Sequence, residues 1–70
     1  MPTKIYGPFD SLGRFAPGDR IEVHPATDTW MRGDRYGTVE AIGRKALAVH
    51  LDRSGRRVRV SPHNIGAILS

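Results

Sequence analysis

Cysteine is absent from the 70 residues, which excludes disulfides and thiolate metal sites and leaves the redox compartment open. Long apolar runs are absent too. Nothing approaches the roughly 18–20 residues of a membrane span, and the N-terminus carries no signal-peptide core, so the expectation is a soluble cytoplasmic protein without membrane contact. No glycine-rich phosphate motif occurs. His24, His50 and His63 lack metal-ligand spacing and have no acidic cluster beside them. They read as surface residues, with His24 and His50 as neighbours on outward strand faces. Ser11, Ser54 and Ser61 have no base at a recognisable spacing, so nucleophilic catalysis finds no support. Together these absences point to a non-enzymatic protein with no catalytic residues, no metal and no cofactor.

Acid is also scarce where base is plentiful. The chain carries 11 Lys and Arg against 7 Asp and Glu, a net charge of +4. The excess is uneven: Arg44, Lys45, Arg53, Arg56, Arg57 and Arg59 share their segment with Asp52 alone, and no acid follows Asp52. Such a block attracts phosphates or anionic surfaces. Nine of the eleven cations are Arg, whose planar fork suits bidentate phosphate contact. A chain this short forms one small domain and buries only about 60% of its unfolded surface. With disulfides excluded, self-association is the staple that remains.

The hydrophobic pattern predicts short strands and no long helix. Arg20 to His24 alternates with period 2, placing Ile21 and Val23 inward until Pro25 ends the strand. In the ten-residue loop Ala26 to Arg35, Thr27 or Asp28 caps one helical turn over Thr29-Trp30-Met31, and Gly33 stops it. A second strand runs from Gly37 to Ile42; a bulge between Val39 and Ile42 would bring both to the core. The third runs from Ala46 to Leu51. Asp52 to Arg56 is a hairpin loop with Gly55 in the left-handed position. Arg57 to Val60 is the fourth strand, with Arg57 and Arg59 outward. Ser61 to Asn64 fits a 3₁₀ turn opened by Pro62, and Ile65 to Leu69 is the last strand.

Lys4-Ile5-Tyr6 has the composition of a further short strand, halted by Gly7-Pro8. Residues 1–14 read as an N-terminal arm free to be mobile, with Phe9, Leu12 and Phe15 as anchors, and residues 15–70 as the folded unit. The predicted core is Ile21, Val23, Val39, Ile42, Leu47, Val49, Leu51, Val58, Val60, Ile65 and Ile68. Five short strands with a 3₁₀ turn before the last predict an all-β fold, a small five-stranded SH3-like barrel.

Gly18-Asp19-x-Ile21-x-Val23 followed by Gly37-Thr38-Val39-x-x-Ile42 resembles the KOW motif of ribosomal and transcription-elongation proteins. That resemblance implies an SH3-like barrel contacting RNA or proteins of those machineries. The first loop is longer here than in the motif. With Pro25 and Trp30 placed before Gly37-Thr38-Val39, it looks more like the small barrel protein of photosystem I and its relatives, which implies a docking module. Phe15-x-x-Gly18-Asp19-Arg20-Ile21, Trp30 and the strand before Pro62 look similar to type B dihydrofolate reductase. That family's Val-Gln-Ile-Tyr motif is replaced by Val58-Arg59-Val60-Ser61, so its catalytic Gln and Tyr do not carry over, and an NADPH-dependent reductase is the remote alternative.

Strand alternation places the loop between the first two strands at the same end as the Arg-rich hairpin. That end is expected to gather Trp30, Arg32, Arg35 and Tyr36 with Arg53, Arg56 and Arg57, and Arg59 completes the set on the same strand face as Arg57. Arginine beside exposed aromatics suits single-stranded nucleic acid: guanidinium meets phosphate and the ring stacks on a base. The competing reading of Trp30 is a core or oligomer-interface residue. The opposite end is expected to hold Arg14, Arg44, Lys45 and His63 as a weaker basic patch. The sequence therefore points first to a basic module binding RNA or DNA. The alternative is a docking module that binds a protein partner or forms a homo-oligomer.

Overall fold

A computed structural model describes residues 4–69; the first three residues of the expected arm and residue 70 of the expected barrel lie outside them. The strands are β1 Ile5–Tyr6, β2 Arg20–Val23, β3 Tyr36–Ile42, β4 Leu47–Leu51, β5 Arg57–Val60 and β6 Ile65–Ile68. They form one antiparallel sheet in the order β1-β6-β2-β3-β4-β5. A single-turn helix, α1, spans Asp28–Met31, and 3₁₀ turns occupy Leu12–Arg14 and Pro62–Asn64. The fold is thus all-β apart from one helical turn, and the 3₁₀ turn precedes the last strand as expected. The expected five strands are present within a residue of their predicted bounds. The count is corrected to six, and the sheet is open, with β1 and β5 at its edges. The sixth strand pairs Ile5 with Ile68 and Tyr6 with Ala67; two residues are too few to show a strand period in sequence.

The core sits on the inner face. Ile21, Val23, Val39, Leu47, Val49, Leu51, Val60, Ile65 and Ile68 are buried there, and Val58 packs half-buried against them. The anchors of the N-terminal segment belong to the same core. Phe9 and Phe15 are buried, in edge-to-face contact at 5.1 Å between centroids, and Leu12 packs beside them. Such aromatic contacts contribute about 0.5–1.5 kcal/mol beyond area burial.

Ile42 corrects the predicted core. The bulge is present, as a register shift between Val39 and Ala41, yet Ile42 remains 39% exposed. The reason is topological. β2 pairs with β3 only from Tyr36 to Thr38, so the far half of β3 extends past its inner neighbour.

Two glycines in the motif have different tasks. Gly18 takes a positive φ of 95° and donates its N–H to the Val39 carbonyl at 2.7 Å, a turn geometry that disfavours a side chain. Gly37 lies inside β3, paired with both Ile21 and Leu51. A Cβ there would come within 2.8 Å of the His50 carbonyl oxygen and of Val49 Cγ1. It is a close-packing residue within the strand.

Candidate nucleic-acid interface

The loop after β2 is fixed by its own backbone. The Thr27 hydroxyl accepts from the Trp30 N–H at 3.2 Å and donates to the His24 carbonyl at 2.7 Å, which starts α1 in the manner of an N-cap. Gly33 stops the turn with φ 91°, and its N–H reaches the Trp30 carbonyl at 3.0 Å. The Val23 N–H bonds the Arg35 carbonyl at 2.9 Å, closing the base of the loop.

Two contacts join this loop to the β4–β5 hairpin. The Asp34 carboxylate, the one buried charged group among the described residues, accepts from the Ser54 backbone N–H at 3.0 Å. The Arg53 guanidinium lies over Gly33, with Nη1 in the space that a Cβ on Gly33 would need. Loop and hairpin therefore share one end of the molecule, as strand alternation predicted. Trp30, Arg32, Arg35 and Tyr36 are brought together there with Arg53 and Arg56.

No carboxylate of the described residues lies within 4.0 Å of Arg32, Arg35, Arg53 or Arg56. The acid nearest in sequence to the hairpin arginines is occupied elsewhere. Asp52 pairs through both carboxylate oxygens with Arg20, whose Nη1 lies 2.7 Å from Oδ1 and 2.8 Å from Thr38 Oγ1, while Nη2 donates to Oδ2. The Arg20 hydrogen bonds hold the Asp52 carboxyl below its ordinary range, partly offset by desolvation. The same bonds raise Arg20.

The expected stacking role of Trp30 meets a different geometry. Its ring is half-buried against the core and carries the Arg35 guanidinium 4.5 Å from its centroid, a cation–π contact. Tyr36, 44% exposed, is the open ring at this end. Met31 is also exposed.

The two remaining candidates stand apart. Arg57 Nε donates to Glu40 Oε1 at 2.8 Å, and Arg57 is paired in register with His50. Arg59, opposite Ala48, lines a separate cleft with Arg44 and Lys45. Of the expected second patch, His63 instead lines a hollow with Tyr6, Glu22 and His24, and Arg14 lies 5.8 Å from the Phe9 ring centroid. The 3₁₀ turn carries the chain from the end of β5 back to β2, where the His24 N–H bonds the Asn64 carbonyl at 2.7 Å. This displaces His63 from Arg44. His24 and His50 are separated because β3 lies between β2 and β4, and His50 pairs with Thr38, itself opposite Arg20. Among the described residues no group of three or more His, Asp or Glu gathers as a metal site, and no helix is long and apolar enough to cross a membrane.

Searches against protein-family models, curated proteins and solved structures return no match.

Proposed function

We propose that this protein is a non-enzymatic module that binds nucleic acid through the end formed by α1 and the β4–β5 hairpin. One observation carries the reading: the Asp34–Ser54 bond and the Arg53–Gly33 contact gather Arg32, Arg35, Arg53 and Arg56 with no carboxylate of the described residues in ion-pairing range. Exposed guanidinium groups in such density favour phosphate ligands, and Tyr36 offers a ring for a base. The strand order and the 3₁₀ turn before the last strand support a relationship to SH3-like barrels of the KOW kind. In this reading β1 is an addition to the five-stranded unit. Affinity for a single-stranded oligonucleotide should fall steeply with salt, because phosphate contacts release counterions.

A docking module is the second reading, supported by the two open sheet edges at β1 and β5. Unpaired strand edges are templates for a further strand. Light scattering separates the two: a stable homo-oligomer with no oligonucleotide affinity favours docking.

A further inference from the structure

At the end of the sheet away from the arginine cluster, the β3–β4 hairpin and β5 enclose a cleft of about 550 Å³. Its floor is made of small side chains. Ala41 pairs with Ala48, and Ala48 with Arg59, so the three form one cross-strand row, with Ala46 alongside. The neighbouring row carries Thr38, His50 and Arg57, whose side chains are all longer than alanine's. Methyl groups stop short of the surrounding surface, and Ile42 walls one side.

Three cations, Arg44, Lys45 and Arg59, line the cleft. None lies within 4.0 Å of a carboxylate among the described residues. Glu40, the acid adjoining Ala41, is bound to Arg57. The turn bearing Arg44 and Lys45 is held closed by the Gly43 N–H on the Ala46 carbonyl at 2.9 Å, so its cations sit on a fixed support.

We infer that this cleft is a second nucleotide subsite, with phosphates on Arg44, Lys45 and Arg59 and a base or sugar on the alanine floor. The inference rests on the nucleic-acid reading above and extends it. β5 leads from the hairpin arginines to Arg59 in the cleft, about 7 Å beyond Arg57, whose guanidinium is held by Glu40, so the strand tracks along β5 from one end of the sheet to the other. The floor specifies a single strand. In a duplex the base faces are stacked and unavailable to an apolar floor, whereas single-strand binding pairs a cationic track with surfaces that accept a free base.

The test uses the full chain and a fluorescein-labelled oligothymidylate of about 12 nucleotides, within the range one small barrel covers. The double variant Arg44→Ala/Lys45→Ala removes the charges from an exposed turn. It should weaken binding about tenfold and flatten the slope of log affinity against log salt by about 1.4, for two lost phosphate contacts. Ala48→Leu fills the floor at constant charge and should weaken binding about fivefold, the low end of what one base contact contributes, by denying the base its seat. Wild-type affinity in either variant overturns the cleft as a subsite while leaving the arginine end in place. Absence of binding by the wild-type protein overturns both readings.

Discussion

The Asp34 carboxylate accepts the Ser54 backbone N–H at 3.0 Å, and through this bond a loop after β2 holds a hairpin that lies 20 residues further along the chain. The contact carries a prediction that charge alone would reverse. Asp34→Ala removes a negative group from among four arginines, which by Coulomb attraction should strengthen anion binding. It also removes the charged acceptor of the Ser54 N–H and frees the two loops from each other. The expected result is weaker oligonucleotide binding together with a stability loss of about 1–2 kcal/mol, read as a fall in Tm of roughly 4–16 °C. Tighter binding by the variant would show that Asp34 acts only as a counter-charge.

Gly37 should tolerate no side chain. Gly37→Ala places a methyl group 2.8 Å from a backbone carbonyl oxygen, where no flexible tip is free to yield. Overpacking of this kind costs about 1–3 kcal/mol. Denaturant titration should show a lowered midpoint at unchanged slope. At Gly55, where φ is 73° and no atom lies within 4 Å of the added Cβ, alanine should cost only the left-handed backbone penalty, about 1–2 kcal/mol.

Acid should weaken the fold through Asp52. Its carboxyl is held below the ordinary value of 3.8 by the Arg20 hydrogen bonds, so the native state binds fewer protons than the unfolded chain near that pH. The resulting stability is fully present above the unfolded pKa and is lost as pH falls through the lower folded one. The pair is partly exposed, and solvent screening limits its contribution to under about 1 kcal/mol. Thermal unfolding of wild type and Asp52→Asn should differ at pH 6 and converge toward pH 2–3. An equal gap at both pH values would assign the effect of the substitution to something other than the ion pair.

Much of the fold was legible from residue pattern. Ile21/Val23, Leu47/Val49/Leu51 and Val58/Val60 announced their strands because one face of each is buried and period 2 survives. Thr27 and Gly33 marked the ends of α1 by cap chemistry. β1 was less legible because pairing with β6, rather than any pattern of its own, makes Ile5–Tyr6 a strand. Ile42 misled because apolar character does not reveal where a neighbouring strand stops.

The site was legible to the level of ends, not faces. Strand alternation correctly joined the Trp30 loop to the hairpin, yet it gave no sign that Arg35 covers the Trp30 ring or that Glu40 reaches Arg57. These depend on side-chain reach across strands. The cleft went unseen for a related reason: Ala41, Ala46 and Ala48 carry no signal until register sets them side by side next to Arg59.

Arg53→Ala/Arg56→Ala tests how much of the affinity the hairpin arginines carry. Both side chains are exposed and outside the core, so the sheet should stay folded, with the Asp34–Ser54 bond still joining loop to hairpin after the Arg53 contact over Gly33 is lost. Removing two phosphate contacts should flatten the salt slope by about 1.4. Arg57→Ala, whose guanidinium is already shared with Glu40, should change the slope by less than either of the other two arginines.

The central claim is tested most directly by titrating the wild-type protein into a labelled single-stranded oligonucleotide at a series of salt concentrations. Four phosphate contacts, one for each of Arg32, Arg35, Arg53 and Arg56, predict a slope of log affinity against log salt of about −2.8, and steeper if the cleft is engaged. Negligible binding at every salt concentration, or binding independent of salt, would contradict it.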